Sequence, residues 1–182
     1  PTTIYLVIDA DDRQRVQALT RLFINQLCVR LLEPSENEDP LNINDHKHKL
    51  LLMLDEFPSL GRMDYLKDSL AIMRGYGIRA FLVCQDLDQL FDVYGDKTPL
   101  LSHCKTKVFT ATNSDITATR ISRMVGDATF LKYTKSYSET QSNHMNEAVS
   151  EVRRSLLTPD EVMRLPKDVA VIVTEGERPI WS

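Results

Sequence analysis

The sequence predicts an α/β chain in which a mostly parallel sheet is flanked by helices, and two observations carry that prediction. Leu50 to Leu54 is an unbroken run of five large apolar residues. Such a run suits a strand covered on both faces, as strands of parallel sheets are. Strand-like and amphipathic helical segments also alternate along most of the 182 residues, the order that βαβ units produce. A composition of 42% hydrophobic and 26% charged residues fits one domain with a real core.

The elements follow in order. Ile4 to Ile8 reads as a first strand, and Asp11 or Asp12 can cap a helix with Val16, Leu19, Phe23 and Leu27 on one face. Residues 33–48 hold acidic residues, Asn, Pro34 and Pro40, the composition of a surface loop. The apolar strand comes next, then a turn at Pro58 and Gly61, then a helix over about 63–75 with Met63, Leu66, Leu70 and Met73 on its apolar face. Ile78 to Cys84 reads as a strand, followed by a short helix through Leu87, Leu90 and Phe91. Lys107 to Ala111 is a further strand, and Asp115 can cap a helix carrying Ile116, Ile121, Met124 and Val125 that stops at Gly126.

Residues 132–150 are rich in Ser, Thr, Asn and Glu, which predicts an extended or partly disordered arm. Thr158, Pro159 and Glu161 have the spacing of a capping box with proline in the first turn. Val169 to Val173 reads as the last strand. No internal repeat is present in the sequence.

A net charge of −4 excludes a bulk positive field that would bind nucleic acid non-specifically, so any DNA contact must be local or shared among subunits. The three cysteines stand singly, without metal-ligand spacing or a disulfide framework, which predicts a reducing compartment. No apolar stretch reaches the length of a membrane span, and no leader pattern is present in the sequence. A start at Pro1 instead of methionine predicts an excised or processed piece of a longer protein.

The chemistry concentrates where the apolar run stops. Asp55 and Glu56 follow Leu54 directly, the form of a Walker B element. At the C-terminal edge of an open α/β sheet, where ligands bind, such a pair meets a nucleotide. The first acid then holds Mg²⁺ through water, and the second orients and deprotonates the attacking water. A buried strand whose polar exit is Asp-Glu by chance is the plain alternative.

Three blocks in order carry a resemblance: Leu50 to Phe57, Gly75 to Leu87, and Arg154 to Val162. Together they resemble the TraG/TraD-type coupling proteins of type IV secretion and conjugation, over nearly the whole chain. That resemblance implies a RecA-like ATPase, hexameric when full length. It also implies a place at the cytoplasmic face of the bacterial inner membrane, where the ring delivers DNA, relaxosome or effector proteins to the secretion channel. ATP and Mg²⁺ are the implied cofactors, with Asp55 linked to the metal and Glu56 as catalytic base.

By the same resemblance Gln85 senses the γ-phosphate, its alternative being a helix cap beside Asp86. Arg74 resembles a finger that reaches the nucleotide of an adjacent subunit, which can be worth about 10³–10⁵ in rate. Its alternative is a cation favoured by a helix C-terminus, and Arg79 is the neighbouring candidate. Asn113, Thr117 and Arg120 resemble the segment after the family's third strand, although capping and a solvated helix face are the favoured explanation of them. Arg153 and Arg154 read as surface charge or a partner contact, and His46 and His48 as solvated loop residues.

One departure bears on activity: the sequence has no Gly-x-x-x-x-Gly-Lys-Ser/Thr, so the phosphate cradle and its lysine are missing. The expectation is therefore the Walker B half of a RecA-like domain over 1–182, inactive alone, with a P-loop and membrane helices upstream in the parent. A non-catalytic docking domain and a DNA translocase of the chromosome-partitioning kind are the other readings. Two acids at the end of an apolar strand speak against a pure scaffold, and the Leu156 to Glu161 block speaks against the translocase.

Overall fold

The computed structural model describes residues 2–33, 48–136 and 146–182. The chain divides into two compact units, Pro1–Lys105 and Thr106–Ser182.

In the first unit a 3₁₀ turn at Ala10–Asp12 leads into α1, Arg13–Leu32. Its buried stripe is Thr20, Ile24, Cys28 and Leu32, spaced by four. The expected face is rotated: Leu19 and Phe23 are exposed, and Asp12 sits at the N-cap without a side-chain hydrogen bond. Apolar residues lie on more than one side of α1, so periodicity could not choose the side that meets the unit. Ile4 to Val7 forms no strand and is exposed. β-propensity makes a strand only where a neighbour pairs with it, and none of the described residues does.

β1, Leu50–Leu54, and β2, Ile78–Leu82, pair in parallel with Leu50 opposite Ile78 and Leu54 opposite Leu82. The crossover between them contains a 3₁₀ turn at Phe57–Leu60, α2 at Asp64–Met73, and a second 3₁₀ turn at Arg74–Tyr76. Met63, Leu66 and Met73 are fully buried, as the helical spacing predicts. β1 itself is covered on one face only. Leu51 and Met53 are 58% and 61% exposed, with Phe81 of β2 exposed beside them. Two strands and the elements described here supply a single covering layer.

α3, Leu87–Tyr94, buries Leu87, Leu90, Phe91 and Tyr94. A short helix that sequence periodicity did not suggest, α4 at Leu100–His103, closes the unit.

The second unit holds β3, Thr106–Phe109, and α5, Asp115–Val125. The cap of α5 is Ser114, whose hydroxyl accepts from the Thr117 backbone N–H at 3.0 Å, and not Asp115 as expected. Gly126 ends the helix at φ 91°, a backbone that favours glycine. β4, Asp127–Ser136, and β5, Asn146–Ser155, then form an antiparallel ribbon. Residues 132–136 and 146–150, expected to belong to an extended or partly disordered arm, are extended and strand-paired, while 137–145 lie outside the described residues. Polar side chains did not prevent pairing because the backbone ladder is indifferent to them. The loop expected over 33–48, with His46, also lies almost wholly outside the described residues.

α6, Pro159–Met163, begins with the expected capping box: the Thr158 N–H donates to Glu161 at 2.8 Å, and the Glu161 N–H donates to the Thr158 hydroxyl. β6, Val171–Thr174, pairs antiparallel with β3, and β7, Ile180–Trp181, pairs with β6. The core of this unit gathers Ala118, Ile121, Val125, Val162 and Val171 between α5, α6 and the sheet. The α/β reading holds, but parallel pairing among the described residues is confined to β1 and β2.

Candidate active site

The site is built where β1 and β2 end. The ladder continues one step past both strands: the Val83 N–H donates to the Leu54 carbonyl at 3.0 Å, and the Phe57 N–H donates to the Val83 carbonyl at 2.8 Å. That extension holds Asp55 and Glu56 beside Cys84 and Gln85.

Asp55 is exposed and accepts from the Glu56 backbone N–H at 3.1 Å. Glu56 has φ 50° and ψ 44°, the left-handed conformation. Among the described residues it is the sole non-glycine with positive φ. That backbone costs a residue with a Cβ about 1–2 kcal/mol, and such strain concentrates at functional sites. The turn that imposes it is well anchored. Phe57 is 1% exposed and stacks on Tyr94, with ring centroids 5.6 Å apart and planes inclined by 13°. The Tyr94 hydroxyl accepts from the Met63 N–H at 3.1 Å and donates to the Gly61 carbonyl at 3.3 Å. From α1, Gln17 donates its side-chain amide to the Ser59 carbonyl at 2.7 Å.

Gln85 crosses from the neighbouring strand end. Its Nε2 donates to Glu56 Oε2 at 3.3 Å, and its Oε1 accepts from Gln89 Nε2 at 3.4 Å. The cap of α3 is Asp86, whose carboxylate accepts from the Gln89 backbone N–H at 2.9 Å. Gln85 is therefore free of the capping duty that was its alternative explanation. Sequence reasoning did not single out Gln89, although its spacing of four from Gln85 was the available signal. Burial, followed by the negative charge of Asp86, the Cys104 thiol and Glu56, pushes the Cys84 thiol up, which disfavours the thiolate.

Arg74 is exposed in the 3₁₀ turn that precedes β2. Because β1 and β2 run parallel, it lies at the opposite edge from the carboxylates, about 16 Å away for a five-residue strand. Within one chain Arg74 and Glu56 are not brought together. Arg79 lies within β2, opposite Leu51. In the second unit Thr117 is buried, and both basic residues of the 153–154 pair are engaged with acids. Arg153 pairs with Asp127 at 2.8 Å, and Arg154 pairs with Glu161.

The donor set suits a hard cation: an exposed carboxylate at a strand end, beside a second carboxylate. Among the described residues there is no cluster of three or more His, Cys, Asp or Glu that would form an all-protein metal cage. An ion here would need phosphate and water ligands, which is how Mg²⁺ is held with nucleotides.

Comparison with known proteins places the chain in a family. The family described as type IV secretory system conjugative DNA transfer matches residues 1–182. The chain belongs to that family. It is 36% identical over 173 residues to the conjugal transfer protein TraG of Escherichia coli, covering 91% of this chain and 27% of the relative. It is 32% identical over 181 residues to protein VirD4 of Agrobacterium fabrum, covering 98% of this chain and 26% of the relative. The chain thus spans about a quarter of the length of these members of the family. Among solved structures the bacterial conjugative coupling protein TrwB superposes with a TM-score of 0.73 at 24% identity, over 96% of this chain and 38% of that one. A second TrwB structure, in complex with ADP and Mg²⁺, superposes with a TM-score of 0.71 at 22% identity, over 96% of this chain and 38% of that one. These likenesses give the chain the RecA-like fold of a coupling protein. No helix among the described residues is long and apolar enough to cross a membrane.

Proposed function

We propose that this chain is the Walker B part of the ATPase motor of a type IV coupling protein, a ring that energises delivery of DNA, relaxosome or effector proteins to a secretion channel at the inner membrane. The observation that carries the reading is the hydrogen bond of 3.3 Å between Gln85 and Glu56, made across two adjacent parallel strand ends. It puts a carboxylate and an amide where an α/β sheet receives ligands. The ADP and Mg²⁺ bound by the structural relative TrwB support the choice of nucleotide and metal.

In this reading Asp55 holds Mg²⁺ through water, and the ion supplies charge neutralisation at the phosphates. Glu56, turned by its left-handed backbone away from the strand direction, accepts the proton of the attacking water. Gln85 bridges that base to the neighbouring strand and is the residue placed to respond to the γ-phosphate. Arg74 sits at the far edge of the sheet, so it serves a nucleotide only by reaching toward a neighbouring subunit of a hexamer. The phosphate cradle comes from outside this chain, and the uncovered face with Leu51 and Met53 is a surface on which the rest of the motor packs. By itself the chain is inactive.

The test is DNA-stimulated ATP hydrolysis by the full-length protein that carries this chain, comparing wild type with Glu56→Gln. General-base catalysis is worth about 10²–10⁴ in rate. Loss of that order with nucleotide binding retained supports the motor; hydrolysis indifferent to Glu56 makes this unit a docking module.

A further inference from the structure

We propose that Gln89 is a positioning residue of this site, holding the Gln85 amide in the orientation that the Glu56 carboxylate requires. The inference rests on the functional reading above, in which Glu56 is the base.

A glutamine side chain ends in an oxygen that only accepts and an NH₂ that only donates, on nearly the same shape. Against a carboxylate the two ends have opposite effects: the NH₂ attracts and the oxygen repels. Gln85 is exposed, in the segment between β2 and α3, where solvent would satisfy either orientation. Gln89 supports one of the two. Its Nε2 donates to Gln85 Oε1 at 3.4 Å, which occupies the oxygen and leaves Gln85 Nε2 for Glu56 Oε2 at 3.3 Å. A carboxylate only accepts, so Glu56 sets the polarity of the relay and Gln89 fastens it by donating at the other end.

Gln89 is held more firmly than the residue it orients. Its backbone N–H is tied to the Asp86 cap, and the residues that flank it on α3, Leu87 and Leu90, are buried. The first turn of α3 is therefore a fixed base, spaced by four residues from Gln85. The relay runs from a helix anchored by buried residues, through exposed Gln85, to a half-buried base.

Two substitutions of similar length separate this role from a structural one in the full-length protein, with Glu56→Gln alongside. Gln89→Lys keeps a donor toward Gln85. Gln89→Glu offers only acceptors; it draws the Gln85 NH₂ to itself and turns the Gln85 oxygen on Glu56. The expected result is a kcat for ATP lowered about three- to tenfold in Gln89→Glu, with KM unchanged, the worth of one oriented hydrogen bond. Gln89→Lys is expected to stay within about twofold of wild type. A role in helix stability alone gives the reverse order, because an acid suits the first turn of a helix and a base does not. That order, or equal kcat in the two variants, overturns the proposal.

A second readout needs no nucleotide. The Gln85 side-chain NH₂ resonances in NMR spectra of the nucleotide-free protein are expected to coincide in wild type and Gln89→Lys and to move in Gln89→Glu. If Glu56→Gln leaves hydrolysis intact, the functional reading fails while these resonances still decide the orientation. If Glu56→Gln abolishes hydrolysis and the resonances ignore position 89, the functional reading stands and the positioning role falls.

Discussion

The ring of Phe57 lies nearly parallel to that of Tyr94, 5.6 Å away, and the Tyr94 hydroxyl closes on both Gly61 and Met63. One aromatic pair thus pins the whole turn that carries Glu56, from its first buried residue to the start of α2. Burial pushes the Tyr94 hydroxyl up, so it remains a neutral donor and acceptor.

Truncating that anchor is expected to be costly. Phe57→Ala empties a fully buried site and should destabilise the protein by about 3–5 kcal/mol. Tyr94→Phe keeps the stacking but leaves the Met63 N–H without its acceptor, for about 1–3 kcal/mol. Urea unfolding of both variants checks the order; a larger loss in Tyr94→Phe than in Phe57→Ala would mean that the hydroxyl, and not the ring, holds the turn.

In the second unit the buried Ser122 hydroxyl donates to the Leu157 carbonyl at 2.6 Å, joining α5 to the segment before α6. Ser122→Ala should cost about 1–3 kcal/mol, since the carbonyl is left unsatisfied in the core. Ser122→Thr, which retains the hydroxyl, is expected to recover part of it. Thermal unfolding of the two variants decides, and a neutral Ser122→Ala would show that the carbonyl finds another donor.

Acid stability has a definite sign. Hydrogen bonds from Arg62 and then Lys67 hold the Asp64 carboxyl down at about 2. Glu161 is lowered first by the Thr158 backbone N–H, and Asp127 first by the Ser155 hydroxyl and then by Arg153. A carboxyl depressed in the folded state contributes stability above its unfolded value and loses it as pH falls through the folded one. Stability is therefore expected to decline from about pH 4 toward pH 2. Denaturant midpoints across that range should fall less steeply for Asp64→Asn. All three groups are exposed, so added salt should blunt the effect.

Much of the site was legible in the chain because its signals are local. An apolar run ending in Asp55-Glu56 and a second strand ending at Gln85 needed only parallel neighbours to meet, and parallel pairing of β1 with β2 supplied them. The capping box at Thr158 and Glu161 and the stop at Gly126 likewise depend on contacts within a few residues. Gln89 was legible only as a spacing of four from Gln85, because a glutamine acquires meaning from the residue it faces.

What the sequence by itself determined was the presence of α1, α2, α3, α5 and α6, the carboxylate pair and the family. Tertiary structure alone decided which side of α1 is buried, that Ile4 to Val7 stays unpaired, and that residues 132–136 and 146–150 pair as a ribbon. The reason is common to all three. Periodicity and capping are properties of neighbouring residues, whereas strand pairing and the choice of a buried face depend on partners far along the chain.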